Sequence, residues 1–204
     1  MKSLLVRNLK VYFRDRASVF FSLLSVIIIF LLYTLFLGDA WSGGSEFEGA
    51  VGVRGLMDSW LMAGLLAVVS VTATLGAYGI MVEDRSRKII KDFYSSPLSR
   101  AGLTGGYILS AFIIGLIMSL ITAALAIAFI SLRGGALPVP SALLKTAGMI
   151  LISTFSNTAM VLFLVSFISS NKAFSTVSTL IGTLIGCLTG VYVHIGQLPP
   201  TVQT

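Results

Sequence analysis

Charge is scarce in this chain. Of 204 residues, 14 are Lys or Arg and 8 are Asp or Glu, together 11%, whereas an ordinary soluble domain carries about 25%. With 56% hydrophobic residues and a mean hydropathy of +0.97, a water-soluble fold would have too little polar surface to cover itself. Cysteine occurs once, as Cys187 inside an apolar run, so it forms no internal disulfide and leaves the redox compartment open. Histidine also occurs once. His194, near the end of an apolar run, reads as an amphipathic belt residue before a proton relay or ligand, and without a second His or Cys there is no metal set. No stretch matches G-x-x-x-x-G-K-S/T, the loop that cradles nucleotide phosphates. Nor does a Ser/His/Asp set or a carboxylate pair stand at membrane depth. The sequence therefore offers no catalytic residue, no metal ligands and no cofactor site, and any ATPase must come from another chain.

What the sequence has instead is long apolar runs. A spanning helix needs about 20 mostly apolar residues, and the stretches 17–37, 59–82, 103–132, 146–170 and 173–195 qualify. The first is longer than the roughly 7 to 15 residues of a signal-peptide core, so it is expected to stay attached as a span. The runs recur without a composition break, which predicts an all-α, polytopic membrane protein with one domain over 1–204. The third and fifth runs exceed the bilayer, so tilt or an interfacial end is expected.

Basic residues orient the spans. With the amino terminus inside, Lys2, Arg7, Lys10, Arg14, Arg16, Arg85, Arg87, Lys88, Lys91, Arg100 and Lys172 fall on the cytoplasmic side, and Arg54, Arg133 and Lys145 fall outside. That asymmetry predicts a cytoplasmic amino terminus and a multi-pass protein of the cytoplasmic membrane. Trp41 and Trp60 then flank the first external loop as an aromatic belt. The net charge of +6 does not indicate nucleic acid, because the basic residues flank apolar runs and no block of about 5 to 8 of them occurs.

Two segments outside the spans carry more than topology requires. Residues 4–16 form a basic amphipathic helix, with Leu5, Leu9, Tyr12 and Phe13 on one face and Arg7, Lys10 and Arg14 on another. It is either a charged flank lying in the membrane surface or an elbow that also touches a cytoplasmic partner. The loop 83–100 reads EDRSRKIIKDFYSSPLSR, with Ile89, Ile90, Phe93 and Tyr94 at helical spacing among eight charges. Its spacing predicts a helix over 86–94, either docked on a partner or packed on the membrane surface. Ser96 and Pro97 form a helix-start signature.

These features together resemble the ABC-2 type permeases of ATP-binding-cassette exporters. The likeness rests on the amphipathic helix before the first span, Glu83 closing the second, the basic loop ending in Ser96-Pro97-Leu98-Ser99-Arg100, and Gly196-Gln197-Leu198-Pro199-Pro200 after the fifth. It implies a dimer of permeases, two cytoplasmic ABC ATPase subunits and contact with membrane lipids. It also implies that 83–100 is the coupling helix, with Glu83, Arg87, Lys88, Ile90, Phe93, Tyr94 and Pro97 meeting the ATPase. Members have six spans, so a chain with five is expected to continue beyond Thr204 through a re-entrant turn, for which Pro199 and Pro200 are suited.

Within the spans, Gly182, Gly186 and Gly190 form a small-residue ridge for close helix approach. It serves either packing within the subunit or an interface and translocation path between two copies. Asn157 needs a partner in hydrocarbon and serves either as a structural tie or as a substrate contact. Asp58, at the outer end of the second span, is expected to be solvated. Three functions compete: an ATP-coupled export permease, an ion-coupled secondary transporter and a non-transporting scaffold subunit. A secondary transporter would ordinarily place acids or histidine near the midplane and show inverted repeats, and neither is visible. The uncharged spans favour an amphipathic or apolar cargo, with a drug, a lipid-linked glycan and a peptide all open.

Overall fold

The computed structural model describes residues 2–32, 53–94, 99–132 and 139–189. Among these the chain folds as seven helices and no strand: α1 (Lys2–Arg14), α2 (Arg16–Leu32), α3 (Val53–Ser86), α4 (Ile90–Tyr94), α5 (Arg100–Leu132), α6 (Pro140–Ser166) and α7 (Asn171–Leu188). Hydrocarbon offers no partner for a bare peptide group, so helices that bond internally are the natural solution for such apolar sequence. Among the described residues three segments, Ser59–Ser86, Arg100–Leu132 and Pro140–Ser166, are long and apolar enough to cross a membrane. The first and fifth expected spans correspond in part to α2 and α7, and residues 33–37 and 190–195 of those expected spans lie outside the described residues. So do Trp41, His194, the expected helix start at Ser96 and Pro97, and the Pro199-Pro200 turn.

Boundaries depart from the apolar runs where backbone bonding outlasts hydrophobicity. α3 continues past residue 82 through Glu83, Asp84 and Arg85 to Ser86. At 1.5 Å per residue, α3 and α5 are each roughly 50 Å long against a hydrocarbon layer of about 30 Å, so their ends project beyond it. α6 begins at Pro140 rather than 146, because Val139 is extended and proline at the first turn is already set for a helix.

α3 is the hub, packing on α5, α6, α7 and α1. Its buried residues, among them Leu61, Leu65, Val69, Leu75, Tyr78 and Val82, lie all round the helix, the pattern of a central helix. α5 and α6 each bury one stripe: Leu103, Tyr107, Ser110, Ile114, Met118 and Thr122 on α5, and Ile150, Thr154, Thr158, Val161 and Val165 on α6. The three backbones meet closely at Gly115. A Cβ there would stand 2.9 Å from Thr74 Oγ1 and 3.0 Å from Thr154 Cγ2, so a side chain at this position would wedge the bundle apart. α7, in contrast, buries Gly186 and leaves Leu180, Leu184 and Leu188 exposed.

Candidate functional site

One end of the bundle holds a charged knot. α1 lies against the end of α3 and the first turns of α5, and its seat is shaped by Gly106. A Cβ at that glycine would come within 2.6 Å of Leu4 Cδ2, so the buried Leu4 fits only because the side chain opposite is missing. One turn further along α1, Arg7 grips Asp84 through two parallel bonds, Nη1 to Oδ2 at 2.5 Å and Nη2 to Oδ1 at 2.8 Å. Tyr107 on α5 donates to the same Oδ2 at 2.6 Å. Asp84 is 2% exposed, and these donors supply what water otherwise would. Its hydrogen bond to Arg7 is the main reason the guanidinium pKa is raised. Buried Asn8, next along α1, donates to Ser110 Oγ on α5 at 3.1 Å. Tyr12 packs over Gly76 of α3, and burial pushes its phenol upward.

The knot extends to α4, because the Arg7 guanidinium stacks over the Phe93 ring at 5.5 Å from its centre, close enough for cation–π attraction. Phe93 is half-buried and packed against the core, so the aromatic expected to anchor a partner already anchors α4 to its own subunit. Ile90 is half-buried, while Arg87, Lys88 and Lys91 are exposed. Tyr94 closes α4, and its side chain and Pro97 lie outside the described residues.

The expected helix over 86–94 is interrupted. α3 ends at Ser86, residues 87–89 form a turn, and Lys88 adopts a left-handed φ of 61°. A left-handed residue just past a helix end turns the chain so that the last carbonyls find donors: Arg87 N–H reaches Glu83 O at 2.9 Å and Lys88 N–H reaches Arg85 O at 3.1 Å. Arg85 Nη1 meanwhile donates to Val165 O at 3.3 Å, tying this end of α3 to the last turn of α6. On the far side of the loop, Ser99 caps α5, its Oγ accepting the Gly102 N–H at 3.1 Å.

The acid that closes α3 inward is therefore Asp84. Glu83 is half-exposed and paired with Arg87 at 2.7 Å, one turn away. Sequence reasoning passed over Asp84, Tyr107, Asn8 and Ser110. Asp84 follows buried Met81 by three residues, but Glu83 likewise follows buried Ile80, so spacing along α3 does not single out the inward acid.

The other expected residues lie away from the knot. Asn157 of α6 donates to Ser70 Oγ of α3 at 3.0 Å and to Ser153 Oγ at 3.4 Å, in a seam where Ser70 also meets Thr154 at 3.4 Å and Tyr78 donates to Thr158 O at 3.2 Å. Gly186 is the buried residue of α7, a Cβ on Gly182 would meet nothing within 4 Å, and Gly190 lies outside the described residues.

A model of the ABC-2 type transporter family matches residues 1–204. The chain belongs to the ABC-2 type transporter family. No curated protein and no solved structure matches it. It is a multi-pass membrane permease of an ABC-type transporter, and membership implies an ABC ATPase partner. Permeases of this family are transport subunits.

Proposed function

We propose that this permease exports its cargo across the cytoplasmic membrane, with its amino terminus inside, and is driven by a separate ATPase that engages the end of the bundle holding α1 and α4. The observation that carries the reading is the Arg7–Asp84–Tyr107 knot. It joins the amphipathic helix, the short loop helix and the two longest helices into one body. A push on α4 or α1 is then delivered to α3 and α5 without slack. The exposed Arg87, Lys88 and Lys91 form a basic rim for a partner surface, and Phe93 holds that rim to α1. A second permease copy is part of the proposal, supported by the family and by α7, whose exposed leucines leave a face for it. An ion-coupled reading gains little support, because among the described residues Asp84 is the one buried charge and it sits at the bundle end, paired.

Co-purification with the ATPase and its substrate-stimulated hydrolysis test the proposal. Phe93→Ala, which frees α4 from α1, should lower stimulated hydrolysis roughly ten-fold, while Lys88→Ala on the rim should change it little. Full complex formation and full stimulation in both variants would remove the coupling role from this loop.

A further inference from the structure

Hydroxyls on membrane helices usually give their hydrogen to a carbonyl one turn back. Thr74, Thr122, Thr158 and Ser166 all do so here, at 2.6 to 2.9 Å. Ser119 of α5 does not. It is 1% exposed, yet its Oγ has no hydrogen-bond partner, and a buried hydroxyl left unpaired is costly.

Ser119 lines an open cavity of about 340 Å³ between α3, α5 and α6. On α3 the lining runs from Ala63 to Ser70, which is roughly 20 to 30 Å along the helix from Asp84. The cavity therefore belongs to the half of the membrane opposite the knot. Its walls are apolar, with Leu66, Met149 and Ile150 among them, and its rim carries the exposed Lys145 and Thr146. Lys145 follows Pro140 by five residues, so it stands roughly 7 to 8 Å inside the start of α6, and its flexible stem lets the ammonium reach headgroup level.

A cation at headgroup depth, an apolar wall below it and a buried unpaired donor at its floor define a ligand that is anionic at one end, apolar at the other and hydrogen-bond accepting between. We infer that this cavity binds an anionic phospholipid of the leaflet opposite α1, its phosphate on Lys145 and Thr146 and an acyl-ester carbonyl on Ser119. The inference needs neither the ATPase nor a transport direction, so it stands or falls apart from the exporter reading.

The test uses the full chain in phosphatidylcholine nanodiscs containing a minor fraction of a photoactivatable phosphatidylglycerol, with cross-links mapped by mass spectrometry. Labelling should concentrate on 63–70 and 145–153. It should fall about ten-fold in Lys145→Ala, the loss expected of one charge-assisted contact, and stay near normal in Lys145→Arg. Ser119→Leu, which fills the cavity, should abolish it. Ser119→Ala, which removes only the hydroxyl and leaves packing intact, should lower it about three-fold. A photoactivatable fatty acid should label the same segments more weakly, since its one acidic head cannot occupy Lys145 and Ser119 together. Equal labelling by a phosphatidylcholine probe, stronger labelling by the fatty acid, or unchanged labelling in both Lys145→Ala and Ser119→Ala would overturn the assignment.

Discussion

The knot at the bundle end and the seam between α3 and α6 solve the same problem with different chemistry. Both tie helices distant in sequence through polar side chains, but the knot uses a full ion pair and the seam uses an amide and hydroxyls. The ion pair stands where α3 and α5 project past the hydrocarbon, and Arg7 is still 34% exposed, so its charge keeps some water. In the seam a charge would have no such relief, and neutral groups that fall back on a neighbouring carbonyl cost little when a partner moves. The knot is therefore stiff and intolerant of losing a member, while the seam is adjustable.

The largest expected effect breaks the packing that both regions share. Gly115→Leu should destabilise the bundle by roughly 3 kcal/mol, the upper range for overpacking, because α3, α5 and α6 must separate. Denaturation of the purified protein in mixed micelles reads this. A variant as stable as wild type would show that the helices part without cost.

Breaking the knot comes next. Arg7→Ala leaves Asp84 buried with Tyr107 as its remaining donor and should cost about 2 kcal/mol, a figure lowered for the exposure of Arg7. Replacing both partners, Arg7→Met with Asp84→Leu, should recover part of that loss, since no uncompensated charge remains. Additive losses in this double-mutant cycle would mean that the two groups do not interact. Arg7→Lys should fall between wild type and Arg7→Ala, because an ammonium cannot make the two parallel bonds.

The smallest effect is expected in the seam. Asn157→Ala should cost about 0.6 kcal/mol, typical of hydrogen bonds between membrane helices, and leave ATPase stimulation unchanged. A loss as large as that of Arg7→Ala would erase the contrast between the two regions.

The all-α class was legible because lipid forces long apolar stretches into helices whatever their side chains. What could not be read were features that depend on the rotation of three helices against one another. Asp84 and Glu83 are chemically equivalent neighbours, and only packing against α1 and α5 decides which one turns inward. The break at Lys88 carries no glycine or proline to announce it. Four-residue glycine spacing does not tell which ridge packs: Gly102 and Gly106 have it as Gly182, Gly186 and Gly190 do, yet a Cβ on Gly106 would strike Leu4 while one on Gly182 would meet open space, and Gly115 has no glycine four residues away. The pairing of Phe93 with Arg7 was not legible either, because it joins two segments far apart in the chain.

That separation bears on how the protein is built. Arg7 meets a partner 77 residues later, and Asn8 meets one 102 residues later. At synthesis rates of roughly 5 to 20 residues per second, α1 waits about 5 to 20 s between its own emergence and that of Ser110. Asp84 becomes available to Arg7 somewhat earlier, but Asn8 has no Ser110 to close upon until then. If α5 were threaded through the membrane in the reverse direction, Tyr107 and Ser110 would arrive on the opposite side and the knot would never form. Closure of the knot thus requires that Asp84, Tyr107 and Ser110 all reach the side of the membrane on which α1 lies.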